Sequence, residues 1–274
     1  MRPPRDGCGF GFEKGRLFSI MARMEKGIRE MIGFDAGQTF VVAGATGGIG
    51  GATALLLNRL GADVIAVGRD AGKLEALKAR AENPGAFHLE RKDLAADVSG
   101  LPAYVKTLRG KYGKLRGLAY CAGVRGFAPL KAVDHEAMQR IFAINYFAPV
   151  FLAKGFADRR NNAGRGSAMV FVASRGGVVA DPGMVPYAGS KGALVASMQS
   201  AAKELAPAGI RVNCISPALV DTPMADETAR RYAEGRYPTG LGRPEDPAEM
   251  IAFLLSDRAG WISAQNYVMD CGMI

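Results

Sequence analysis

Phe40-Val41-Val42-Ala43 runs directly into Gly44-Ala45-Thr46-Gly47-Gly48-Ile49-Gly50, and Ala52-Thr53-Ala54-Leu55-Leu56-Leu57 follows. The pattern is an apolar strand, a glycine-rich turn and an apolar helix. Glycines at such a turn let the backbone approach a pyrophosphate, whose charge then sits at the helix N-terminus. The glycines at 44, 48 and 50 are spaced G-x-x-x-G-x-G rather than the commoner G-x-G-x-x-G. Gly44, Thr46, Gly47, Gly48, Ile49 and Gly50 are therefore candidate phosphate-contacting residues.

Outward from this segment, apolar strands alternate with helical stretches from residue 38 onward. Strands are expected to begin near Thr39, Asp63, Ala86, Leu115, Ser167, Ile210 and Asn266. Helices are expected near Gly48, Asp70, Leu101, Asp134, Met184 and Asp246. That alternation predicts one α/β domain over residues 34–274, a Rossmann-type doubly wound parallel sheet of about seven strands. Ligands of such sheets lie at the carboxyl ends of the strands. Residues 44–50, Arg69, Asp93, Gly123 and Ser174 all follow strand candidates.

The second strand, Asp63-Val64-Ile65-Ala66-Val67, ends in Gly68-Arg69. An NAD site normally carries Asp or Glu at that end, to bond the adenosine ribose. Gly68 occupies the place here, and Arg69 can pair with a 2′-phosphate. Asp70 is expected to cap the following helix. The reading is NADP(H) preferred, with NAD(H) still admissible.

Tyr187-Ala188-Gly189-Ser190-Lys191 lies near the start of an expected helix over residues 186–206. Tyr187 and Lys191 are then one turn apart on one face. A free phenol has a pKa of about 10, and a nearby ammonium favours the phenolate, moving the phenol toward working pH. Ser174, ending the run Met169-Val170-Phe171-Val172-Ala173, can hydrogen-bond the same substrate oxygen. A tyrosine and a lysine four apart occur in many helices. It is the glycine turn that makes this pair read as the proton-transfer half of a pyridine-nucleotide oxidoreductase.

The chain has 274 residues, 49% of them hydrophobic and 22% charged, as in ordinary globular proteins. No run reaches the length of a membrane-spanning helix. Four scattered cysteines without a Cys-x-x-Cys pair, and two histidines, argue against a disulfide framework and a zinc site, and fit a cytoplasmic setting. The net charge of +9 comes without an arginine–aromatic array, so no nucleic-acid partner is expected. Residues 1–33 hold seven Lys/Arg against four Asp/Glu and no secretory core. They read as an N-terminal extension, either a mobile arm or the product of an upstream start, with residues 17–32 able to form an amphipathic turn and helix.

Several of these segments together resemble the short-chain dehydrogenase/reductase family, single-domain branch, over roughly residues 35–274. Ala43 through Gly50 resembles its Thr-Gly-x-x-x-Gly-x-Gly turn, with Ala43 in place of Thr, and Asp93-Leu94 resembles its adenine-contacting step. Tyr120-Cys121-Ala122-Gly123 stands where Asn-Asn-Ala-Gly is usual, a change that removes a turn-stabilising side-chain bond. Asn145 matches a helix asparagine that supports a proton relay beside the lysine. Ser174, Tyr187 and Lys191 complete the catalytic set that the resemblance implies. The segment from Arg211 through Pro217, Ala218 and Val220 to Thr222 resembles the stretch embracing the nicotinamide. Ala218 and Cys271 replace glycines. Gly47 stands where NADPH enzymes of the family often carry a basic residue, which leaves more of the preference to Arg69.

The resemblance implies an NADPH-dependent oxidoreductase that reduces a ketone to a secondary alcohol, or the reverse, similar to 3-oxoacyl-carrier-protein reductases. Lys191 would also hold the ribose. Sugar, steroid and polyol dehydrogenases are the alternatives, with a non-catalytic NADPH-sensing protein behind them. The implied assembly is a homodimer or homotetramer through the helices carrying Asn145 and Tyr187. Arg159, Arg160 and Arg165 form a basic cluster suited to docking an acidic carrier. Specificity is expected to reside in residues 125–127, 176–184 and 223–240.

Overall fold

The computed structural model describes residues 33–273, so the expectation for residues 1–33 lies, apart from Gly33, outside the described residues. Seven strands, β1 (Thr39–Ala43), β2 (Asp63–Gly68), β3 (Phe87–Arg91), β4 (Leu115–Tyr120), β5 (Ala168–Val172), β6 (Arg211–Pro217) and β7 (Asn266–Met269), form one sheet. Their order is β3-β2-β1-β4-β5-β6-β7, and every pairing is parallel. The order reverses between β1 and β4, which opens a crevice at their carboxyl ends.

The strands are unbroken apolar runs because both sheet faces are covered. Along β1, Val41 and Ala43 enter one core and Phe40 and Val42 the other, the alternation a pleated strand dictates. The first core is closed by α3 (Leu101–Tyr112), α5 (Ala148–Ala157) and α6 (Val185–Leu205). The second lies under α1 (Gly48–Arg59), α2 (Ala71–Lys78) and α8 (Glu245–Leu255). Buried Arg211 donates to the carbonyls of Leu254, Leu255 and Ser256, which satisfies the C-terminus of α8. Cys271, where the resemblance has glycine, holds a left-handed φ of 49°.

Two elements differ from the sequence expectation. The helix expected near Asp134 is α4 (His135–Phe142), and it continues through a π-helical turn, Ala143–Phe147, into α5. Pro149 explains the widening, since it has no N–H to give the carbonyl of Asn145 four residues back. A seventh helix, α7 (Glu227–Ala233), occupies what read as a loop. Only Ala229 and Ala233 of it are buried, too little apolar periodicity to detect, although Asp226 caps it by accepting from the N–H of Ala229 at 2.8 Å.

Candidate active site

The glycine turn and α1 come together as the sequence implied. Gly44 has φ 88°, and a Cβ there would lie 2.5 Å from the backbone nitrogen of Ala122. The β1 and β4 loops therefore touch backbone to backbone. A Cβ on Gly50 would overlap the carbonyl oxygen of Gly44, and one on Gly48 would overlap the methyl of Thr222. No side chain caps α1 and no acid lies in its first turn, so its leading N–H groups remain for an anion.

Behind the turn lies a cleft of about 800 Å³, lined among others by Ile49, Gly123, Ser174, Tyr187, Lys191, Pro217, Val220 and Thr222. Ser174 follows β5, and its oxygen accepts from the N–H of Gly176 at 3.1 Å. The same hydroxyl lies beside the Tyr187 phenol and favours its ionised form. Tyr187 and Lys191 sit in the first turns of α6, which opens with Pro186. Lys191, 4% exposed, is the one buried lysine among the described residues. Its Nζ donates to the carbonyl of Val172 at 2.7 Å. Burial lowers the Lys191 pKa to about 8.

The phenol departs from the sequence expectation. Burial raises the Tyr187 pKa, and the groups opposing that rise are Ser174 and the Arg125 guanidinium. Desolvation of the phenolate outweighs the groups that favour it, and one donor of the Lys191 ammonium is engaged by a strand carbonyl.

Asn145 is completely buried in the π turn. Its Oδ1 accepts from the N–H of Val124 at 2.9 Å, and its Nδ2 donates to the carbonyl of Val124 at 3.0 Å and to Ser190 Oγ at 3.1 Å. Ser190 in turn donates to the carbonyl of Tyr187 at 2.7 Å. One chain of bonds thus joins the loop after β4 to the backbone of the candidate proton donor. Ser190 was missed as a site residue, although it lies inside the Tyr187–Lys191 stretch.

Tyr120 belongs with the π turn. In the π turn the N–H of Ala148 bonds the carbonyl of Ala143, five residues back, leaving the carbonyl of Ile144 without its helical partner. The buried Tyr120 hydroxyl donates to it at 2.6 Å. The Tyr120 side chain thus bonds the π turn, rather than its own loop.

The adenosine end is more open. The Arg69 guanidinium lies 3.9 Å from Asp93, with 74% and 46% of the two side chains exposed. Asp93 accepts from the N–H of Ala95, and the Leu94 side chain belongs to the core. Arg91, which the sequence reading passed over, donates through Nε to the carbonyl of Arg69 at 3.2 Å. Asp70 caps α2 as expected, accepting from the N–H of Lys73 at 3.0 Å.

The outer wall is α7 and its flanks. Tyr237 OH accepts from the N–H of Leu219 at 3.0 Å, and Arg236 stacks on the Tyr232 ring 4.3 Å from its centroid. Arg159, Arg160 and Arg165 lie elsewhere. They precede β5, at the amino ends of the strands, so the sheet separates them from the cleft, and Arg160 is paired with Asp158. A carrier docked on them would not face the site, because the cleft opens at the carboxyl ends.

These residues fit a dinucleotide. The turn is packed so closely that Gly44, Gly48 and Gly50 have no room for a Cβ, and the buried ammonium of Lys191 would lie 3.4 Å from a Cβ on Gly123. Among the described residues, no cluster of three His, Cys, Asp or Glu side chains could hold a metal, and no helix is long and apolar enough to cross a membrane.

Known proteins agree with this geometry. A family model described as enoyl-(acyl carrier protein) reductase matches residues 44–274. The 3-oxoacyl-[acyl-carrier-protein] reductase of Thermotoga maritima is 32% identical over 248 residues, covering 87% of this chain and 98% of the relative. An L-rhamnose 1-dehydrogenase (NAD(P)(+)) of a Sphingomonas species is 31% identical over 244 residues, covering 86% and 96%. A short chain dehydrogenase of Burkholderia cenocepacia, solved in complex with NADP, superposes with a TM-score of 0.81 at 28% identity, covering 86% of this chain and 98% of that one.

Proposed function

The chain belongs to the short-chain dehydrogenase/reductase family and is an NAD(P)-dependent oxidoreductase, and from that premise we propose that it interconverts a ketone and a secondary alcohol with NADP(H) preferred. The observation that carries this reading is one cleft holding the Tyr187 phenol, the Ser174 hydroxyl and the buried Lys191, beside a glycine turn with no room for a Cβ at Gly44, Gly48 or Gly50.

Residues 44–50 would take the pyrophosphate, Ala122 and Gly123 the adjoining ribose wall, and Asp93 and Leu94 the adenine. Pro217, Val220 and Thr222 would enclose the nicotinamide, and Lys191 the ribose near it. When bound, the nucleotide supplies hydride to the carbonyl carbon or accepts it from the alcohol. Tyr187 gives its phenolic proton to the carbonyl oxygen as that oxygen gains charge, and takes one back in the reverse direction. Ser174, whose oxygen already accepts from Gly176, has its own proton to direct at the same oxygen. Asn145 and Ser190 act through the backbone, holding Tyr187 and Val124 in register.

Arg69 supports a preference for the 2′-phosphate, and Arg91 beside it adds a second guanidinium. Asp93 works against that charge, so the preference is expected to be moderate. The sugar-dehydrogenase alternative draws support from the rhamnose dehydrogenase relative. A purely sensing role fits poorly with a site in which the phenol, hydroxyl, ammonium and amide are all assembled.

The test is a panel of ketones and sugars, with oxidation of NADPH or NADH followed by absorbance. The expected result is turnover of at least one ketone, lost in Tyr187→Phe while NADPH binding persists. Undiminished turnover in that variant would overturn the assignment.

A further inference from the structure

The cleft wall carries an arginine that the fold does not account for. Arg125 lies two residues beyond Gly123, half-buried, in the same cleft as Tyr187 and Ser174. Of the two other arginines lining the cleft, Arg175 pairs with Asp270 and Arg236 is held on Tyr232, by its ring and its hydroxyl. Arg125 has no carboxylate partner among the described residues. Its one recorded bond is from Nη1 to the carbonyl of Met224, at 3.0 Å. The two acids lining the cleft are committed elsewhere. Asp226 caps α7, and Asp181 lies beside the Tyr232 hydroxyl. A guanidinium presents five N–H donors in a planar fork. One of those donors has an identified acceptor, which leaves the rest of the fork for a ligand.

We propose that Arg125 selects substrates bearing their own carboxylate, so that the ketone reduced here is an oxo acid and the alcohol a hydroxy acid. This deepens the oxidoreductase reading and rests on it. The carboxylate is unchanged in the reaction: the ketone carbon takes the hydride, and the ketone oxygen takes the proton from Tyr187. The guanidinium's free edge pairs with the carboxylate while Nη1 stays on Met224, so binding an acid ties the loop after β4 to the segment leading into α7. The apolar side chains Val124, Met184 and Leu219 line the same cleft and suit the carbon chain between the two groups.

Pyruvate, acetoacetate and levulinate, each beside its methyl ester, form the panel, assayed at one pH with wild type, Arg125→Met and Arg125→Lys. A second arm measures levulinate binding to the NADP-saturated protein by calorimetry. Wild type should favour at least one acid over its ester by about tenfold in kcat/KM, as for one charge-assisted pair. Arg125→Met should erase that ratio and weaken levulinate binding by a similar factor, and Arg125→Lys should retain part of both. Equal losses on acid and ester would reduce Arg125 to a loop tie or a charge beside the phenol, and overturn the proposal. So would a wild-type preference for esters, or levulinate binding indifferent to the Met variant. Were no ketone reduced at all, the oxidoreductase assignment would fail instead, and the binding arm would still decide the role of Arg125.

Discussion

The floor of the cleft and its adenosine rim are built on opposite terms. On the floor, Asn145 is 0% exposed and each of its amide groups has an identified partner. At the rim, Arg69 and Asp93 meet at 3.9 Å with most of the arginine in water. A buried polar group left unpaired costs about 1–3 kcal/mol, whereas an exposed ion pair contributes about 0–1 kcal/mol. The floor therefore tolerates almost no alternative arrangement, and the rim tolerates many. Chemistry that needs fixed geometry belongs on the first, and cofactor preference can be tuned on the second.

The strongest challenge to this contrast is Tyr187→Phe. Losing the general acid should lower kcat by about 10²–10⁴-fold and leave NADPH binding, read by fluorescence titration, within about twofold. A variant that loses binding as well would mean the floor serves the nucleotide rather than the proton. Asn145→Ala comes next. It strands the N–H and carbonyl of Val124 and should cost about 1–3 kcal/mol in urea unfolding, with a fall in kcat. An unchanged unfolding midpoint would show the floor to be less rigid than its bonds imply.

Lys191 sharpens the comparison through pH. Its pKa is lowered to about 8 in the fold against an ordinary 10.5, so between these values the unfolded chain binds more protons and stability rises with pH. Cys121 and Cys214, both raised to about 12 by burial, pull the other way above the ordinary thiol value of 9.0. The difference between wild type and Lys191→Met isolates the lysine. It should shift by about 1–3 kcal/mol in favour of wild type across this window, and a flat difference would argue that the ammonium is not desolvated. The smallest effect belongs to the rim: Arg69→Ala should lower the NADPH-to-NADH affinity ratio about tenfold, one charged hydrogen bond's worth, and move stability by less than about 0.5 kcal/mol. A constant ratio would pass the 2′-phosphate to Arg91 alone or remove the preference.

Much of the fold was legible because it is written locally. Every strand start lay within a residue of expectation, since parallel strands buried on both faces are continuous apolar runs. Tyr187, Lys191 and Ser174 were legible because one helix turn and one strand end suffice to place them. Ser190, Tyr120 and Arg91 were not, because their roles depend on partners 45, 24 and 22 positions away. A detectable signal did exist for the π turn: Pro149 stands four residues after Asn145. The rise in the Tyr187 pKa was not legible because spacing along a helix says nothing about how deeply a phenol is buried.

The amino-acid order alone determined the doubly wound sheet, the glycine cradle and the presence of a phenol and an amine one turn apart, since each follows from periodicity and short-range sterics. Tertiary structure decided how deeply the phenol is buried, which hydroxyl repairs the widened helix, and that Arg125 faces the cleft without an acid. Those outcomes depend on desolvation and on partners supplied by distant strands, quantities that exist only once the chain has closed around them.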